Sequence, residues 1–304
     1  MTCIDMTDVI LKMQIIHEIT KEGNMSFKRS PEQVCETLKG GVTDFMGAEV
    51  MSVFYETTPE AIKEVLPPGL VPYERPLVIA GFNNFSATNF EVPYKEAALY
   101  VSAVHEKTGR PGLFVPAMTL DVDMGSILGR EVGGYPKKWG QLKLEEDDQH
   151  YEASASRHGI EYYKLKVDFN NKPNDPEMMK KIAGILTPPD PENHPGATII
   201  YNYLWPACTW AHLDNIKDAP NPILYTVWKS KHQGNKAPLI GTGEVIYTHS
   251  EHDPWDSLPV VNVLGAIKTF DGLALDGARK PEDEYKVDPE AYLPYAFGAF
   301  DHIL

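Results

Sequence analysis

Apolar and polar positions along most of this chain fall into short runs of strand length. Glu49 to Tyr55, Leu77 to Phe85, Ala98 to His105, Leu113 to Val122, Tyr162 to Phe169, Ile199 to Trp205, Ile223 to Trp228 and Val245 to Thr248 are rich in β-branched and aromatic residues, with Gly, Pro and Asn between them. That pattern predicts strands. Helical spacing is confined to a few stretches. Residues 7 to 20 carry Val9, Met13 and Ile16 on one face behind a Thr7 or Asp8 cap. Ser30-Pro31-Glu32-Gln33 supplies a cap, a first-turn proline and a capping-box glutamine for a helix ending at Gly40-Gly41. Thr58-Pro59 opens a short helix stopped by Pro67-Pro68. Asp175-Pro176 opens one running through Met178 and Ile182 to about Leu186, followed by a proline-rich loop from Pro188 to Pro195.

Few of these strands are separated by a helix of crossover length. The expected class is therefore α+β with a mostly antiparallel sheet, not a Rossmann-like fold. The expected division is an N-terminal helical extension (1–41), a main domain (42–278) and a Pro-, acid- and Tyr-rich tail (279–304) packing on the core or on a neighbouring subunit. The acidic run Glu145 to Asp148 reads as a hairpin tip.

Composition narrows the function classes. With 304 residues and 42% hydrophobic content the chain can bury a large core. A formal net charge of -15 argues against nucleic acid and anionic membranes as partners. Three scattered cysteines, Cys3, Cys35 and Cys208, make no disulfide framework and no CxxC. The apolar patch from Val9 to Ile16 lacks a basic leader region and is shorter than a membrane span. A cytoplasmic protein is the expectation.

The candidate chemistry lies in residues 129 to 138, Gly-Arg-Glu-Val-Gly-Gly-Tyr-Pro-Lys-Lys, which follow an apolar strand. A lysine amine attacks ketones only when neutral. Burial or a second cation favours that form, so Lys137 and Lys138 are candidates for Schiff-base chemistry. A solvated turn with two surface lysines fits the same residues. His249-Ser250-Glu251-His252 offers metal-ligand types but reads as a polar loop beside Pro254, and no metal or cofactor is expected.

Gly-Arg-Glu-x-x-x-Tyr-Pro-Lys-Lys resembles the signature of the acetoacetate decarboxylase superfamily. The resemblance runs from about Glu49 to Leu275. Tyr55, Pro76-Leu77-Val78 and Leu258-Pro259-Val260 are further points of similarity. It implies a cone-shaped β-barrel in a homo-oligomer, with Lys137 as the Schiff-base residue, Lys138 as its neighbour and Glu96 of Tyr94-Lys95-Glu96 as the acid/base group. An arginine and a second glutamate of the family's site fall at Ala48 and Gly81, which are small and uncharged here.

If residues 135 to 138 are extended, Lys137 and Lys138 point to opposite faces. Their repulsion at roughly 6 Å is then only about 3 kcal/mol at an effective dielectric of about 20. Burial of an amine can lower its pKa by roughly 3 to 5. Burial is thus the expected larger effect. Strand alternation nominates substrate-facing walls: Asn83 and Phe85 share parity with Gly81, and Tyr135 with Lys137. Tyr100, Phe114 and Met118 on neighbouring strands are added without a parity argument. The partner is a small-molecule keto acid. The reactions considered are decarboxylation of a β-keto acid, aldol condensation of pyruvate with an aldehyde followed by dehydration, and plain ligand binding without catalysis.

Overall fold

The computed structural model describes residues 43–89, 92–131, 133–186, 197–203, 223–231, 236–270 and 272–276, with isolated positions 28, 30–32, 288, 291–292, 294–295 and 301. The chain divides into two compact units, residues 1–41 and residues 42–304. Of the two helices expected in the first unit, the one at 7 to 20 lies outside the described residues. The other is described only at Pro31 and Glu32, both helical. The three cysteines, the loop from Pro188 to Pro195 and most of the tail also lie outside them.

The second unit is built on one sheet. Its strands are β1 (Thr43–Glu56), β2 (Leu70–Pro72), β3 (Leu77–Thr88), β4 (Tyr94–His105), β5 (Pro111–Leu120), β6 (Lys137–Trp139), β7 (Gln141–Asp147), β8 (His150–Arg157), β9 (Ile160–Asp168), β10 (Ala197–Tyr203), β11 (Ile223–Lys231), β12 (Leu239–Tyr247), β13 (Asn262–Thr269) and β14 (Gly272–Asp276). The order is β14-β11-β10-β5-β4-β3-β1-β13-β12-β9-β8-β7, and β14 also pairs with β1. That extra pairing closes seven strands into a barrel-shaped sheet and removes their free edges. Among the described pairings, β10 and β6 run parallel to β5 and the others are antiparallel. The predicted α+β barrel is thus the observed fold. Among the described residues, no helix is long and apolar enough to cross a membrane.

The helices are α1 (Pro59–Val65), α2 (Asp123–Glu131) and α3 (Pro176–Leu186). α1 and α3 begin where capping chemistry places them: Ala61 N donates to Thr58 Oγ1 at 3.1 Å, and Met178 N donates to Asp175 Oδ1 at 3.0 Å. α2 was not expected. Gly125 and Gly129 lower its helix propensity. Both are points of close approach: a Cβ at 125 would lie 3.1 Å from the side chains of Leu120 and Val122. The acidic run forms the end of the β7–β8 hairpin, and His158-Gly159, both at positive φ, turn β8 into β9.

The closed strands bury different clusters on their two faces. Met51, Val53, Tyr55, Ala80, Phe82 and Leu99 pack with Tyr162, Tyr163 and Leu165 of β9, forming the main core. The opposite face carries Phe54, Ile79, Ala98, Tyr100, Met118 and Tyr135. Buried hydroxyls tie the layers together. Tyr55 donates to Leu258 O at 3.0 Å and Tyr163 to Gly81 O at 2.9 Å. This accounts for the distant motif residues Tyr55 and Leu258: they are one contact.

Candidate active site

β6 sets the geometry. It is only three residues long, yet it pairs with β5 in register, Met118 opposite Lys137 and Thr119 opposite Lys138. An extended backbone sends adjacent side chains to opposite faces. Lys137 enters the Phe54–Tyr135 face and is 6% exposed, while Glu96 from β4 is 3% exposed. Lys137 Nζ lies 2.8 Å from Glu96 Oε2. The reading of Lys137 as a solvated turn residue is thereby excluded.

The surroundings position both groups. Asn83 Nδ2 donates to the other carboxylate oxygen, Glu96 Oε1, at 3.3 Å. Arg130 of α2 donates from Nη1 to Lys137 O at 2.8 Å, holding the backbone of β6. Gly129 lies directly on the lysine stem. A Cβ there would sit 2.4 Å from Lys137 Cδ, so any larger residue would push the lysine side chain aside. The Tyr94 and Tyr135 rings lie 5.9 and 5.7 Å from Nζ. Tyr100 is 6% exposed. Burial first, then the charge of Glu96, hold its hydroxyl well above the ordinary tyrosine pKa, so it stays protonated.

Most of the expected wall residues converge here. Asn83, Tyr100, Met118 and Tyr135 share the Lys137 face. Phe85 shares it further along β3, in a cluster with Ala48, Phe45 and Tyr94, its ring 4.9 Å from that of Tyr94. Gly81 leaves room for Tyr100: a Cβ at 81 would lie 3.4 Å from the Tyr100 ring. Phe114 is a correction. It packs in the main core on the other side of β5. Leu99 pairs with Ala117 but Val101 pairs with Phe114, so β5 holds one extra residue and its parity inverts between Phe114 and Met118. Gly129, Arg130 and Tyr94 went unnamed as site residues. All three lie inside the motifs already singled out, Gly129-Arg130-Glu131 and Tyr94-Lys95-Glu96.

Lys138 faces away. Its ammonium donates to His252 O and lies 3.3 Å from Asp253 Oδ1 and 3.4 Å from Asp301 Oδ1. Arg157 joins both carboxylates, at 2.8 Å from Asp253 Oδ1 and 2.8 Å from Asp301 Oδ1. The histidines of residues 249 to 252 separate: His249 pairs with Asp256 at 2.8 Å, while the His252 ring lies tilted against that of His158, centroids 4.5 Å apart. His158, His252 and Asp301 offer ligand atoms within 4.8 Å of one another. Both Asp301 oxygens already accept from Arg157, and Lys138 is beside them. Two cations and a satisfied carboxylate make this an ion-pair network.

The model of the acetoacetate decarboxylase (ADC) family matches residues 29–285. The chain belongs to the acetoacetate decarboxylase family. It is 28% identical over 146 residues to the acetoacetate decarboxylase of Burkholderia cenocepacia, a match covering 46% of this chain and 56% of that protein. The chain thus spans about half the length of the curated relatives it matches. Among solved structures it resembles the acetoacetate decarboxylase of Legionella pneumophila at a TM-score of 0.61 and 19% identity, over 77% of this chain and 85% of the other. It also resembles the enduracididine biosynthesis enzyme MppR, complexed with the condensation product of pyruvate and imidazole 4-carboxaldehyde, at 0.59 and 18%, over 81% and 90%. Both likenesses are likenesses of fold.

Proposed function

We propose that this protein is a Schiff-base-forming carbon–carbon lyase that decarboxylates a small β-keto acid. The observation that carries the reading is the buried pair of Lys137 Nζ and Glu96 Oε2, 2.8 Å apart. Glu96 accepts the ammonium proton and the neutral amine adds to the ketone carbon. Glu96 passes that proton to the departing hydroxyl, and loss of water gives an iminium. The carbon–carboxylate bond breaks, its electron pair moves into the iminium, and carbon dioxide leaves an enamine. Glu96, reprotonated from water, delivers one proton to carbon, and water hydrolyses the resulting iminium to ketone and the lysine ammonium. General acid–base help of this kind contributes on the order of 10²- to 10⁴-fold.

Glu96, 2.8 Å from the amine, is the group placed to take its proton in this reading. Lys138 carries a charge answered by Asp253 and Asp301 on the far side of the strand, so its field at Lys137 is correspondingly damped. The assembly in this proposal is a cytoplasmic homo-oligomer, with residues 1–41 as an extension and 279–304 as a tail.

A second reading keeps Lys137 and Glu96 but joins pyruvate to an aldehyde and eliminates water. It is favoured by Ala48 and Gly81, where the wall is small and uncharged. Incubation with a panel of β-keto acids, and with pyruvate plus aldehydes, separates the readings. Carbon dioxide release without added aldehyde supports the decarboxylase. An unsaturated condensation product without gas supports the aldolase-dehydratase. Turnover of neither kind contradicts both and leaves ligand binding.

A further inference from the structure

Behind the reactive strand lies a cavity of about 240 Å³, open on one side. It is on the Lys138 side, separated from the amine of Lys137 by the thickness of β5 and β6. Leu99, Phe114, Ala117, Trp255 and Leu258 form its apolar walls, and Pro294 and Tyr295 of the tail form one side. Lys138 and Asp253 lie on its wall.

We propose that this cavity is a binding site for a neutral, apolar small molecule about one ring in size. The volume sets the size: it exceeds the roughly 150 Å³ that suffices to take up benzene or xenon. The polar wall sets the class. The Lys138 ammonium already faces His252 O, Asp253 Oδ1 and Asp301 Oδ1. Both oxygens of Asp253 accept from Arg157. Thr119 Oγ1 is 2.5 Å from Tyr162 OH. An anionic guest would have to displace these carboxylates from their cations, whereas an apolar guest leaves them in place. A keto acid is therefore the wrong guest for this cavity and the right one for the opposite face.

The tail wall depends on its anchor. Asp301 makes a two-point contact with Arg157 at 2.8 and 2.9 Å and a further one with His158 at 2.9 Å. Loosening that anchor opens the side formed by Pro294 and Tyr295 and weakens binding.

Titration of the full chain with toluene, followed by saturation-transfer NMR, tests the site. The expected result is saturable binding of one toluene per chain with Kd on the order of 1 mM or below. Intermolecular NOEs should reach the Thr119 methyl group. Ala117→Leu or Ala117→Met, which fill the cavity, should weaken binding about 10-fold or more, and Asp301→Asn should weaken it less. Absence of saturable binding to the wild-type chain, or NOEs that bypass Thr119, overturns the proposal even if a variant fails to fold. So does equal affinity in the folded Ala117 variants, or competition by acetate at equal concentration.

Discussion

Lys137 and Lys138 are consecutive residues whose ammonium groups are committed to opposite faces of one strand, Lys137 to Glu96 at 2.8 Å and Lys138 to Asp253 at 3.3 Å. One face holds a single amine–carboxylate pair among aromatic and aliphatic side chains. The other holds a network of four charged groups that ties β6 to β8, to the loop before Trp255 and to the tail. The two lysines therefore differ in what their loss does.

Lys138→Gln should act through structure. It leaves Asp253 and Asp301 with one cation fewer, and breaking a buried network is costly, on the order of 3 to 5 kcal/mol when a charge is left uncompensated. Arg157 remains as a partner, so the loss should be smaller than that. The thermal midpoint should fall while the pH profile of turnover keeps its position. Activity that collapses near neutral pH and returns at high pH would instead make Lys138 the dominant electrostatic activator.

Gly129→Ala separates packing from chemistry. The new Cβ would sit 2.4 Å from Lys137 Cδ and 2.6 Å from Cε, so the lysine must swing away from Glu96. Alanine also favours the helix by about 1 kcal/mol. Turnover should drop about 100-fold, the scale expected for a misplaced reacting group, with little change in melting temperature. Unchanged turnover would mean that this contact does not position the amine.

Acid sensitivity has a defined source at His105. The ring is 1% exposed, and its Nδ1 accepts from Thr108 N at 3.2 Å. Burial, then the charges of Lys107 and Arg110, pull its pKa down to about 4. An unfolded histidine titrates near about 6.5. Between these values the unfolded chain holds a proton that the folded chain refuses. The stability from this residue is complete above about pH 6.5 and is lost as pH falls through about 4. Melting curves across this window should be steeper in pH for the wild type than for His105→Asn, whose amide oxygen can replace Nδ1 as acceptor. Parallel curves would rule out His105 as the cause.

Much of this arrangement is legible in the chain. Strand composition, the Thr58 and Asp175 caps and the opposed directions of Lys137 and Lys138 follow from local rules. Asn83 and Tyr135 lie on the Lys137 face, as their parity with Gly81 and Lys137 places them. The misses have local or distant causes. Phe114 has no parity argument behind it, and the extra residue in β5 that puts it on the other face from Met118 is visible only against the partner strand β4. α2 was hidden because its glycines serve contacts across space. Asp253 and Asp301 are more than a hundred residues from Lys138, and no spacing rule links them. Closure of the barrel by β14 on β1 is equally non-local.

In the proposed reaction Lys137 is the nucleophile. Incubation of the wild-type chain with acetoacetate and borohydride, followed by intact mass and peptide mapping, tests it most directly. The expected result is one reduced adduct per chain, located on Lys137, absent in Lys137→Ala and retained in Lys138→Gln. An adduct located on another lysine, or no adduct with acetoacetate, pyruvate or any other keto acid, would contradict it.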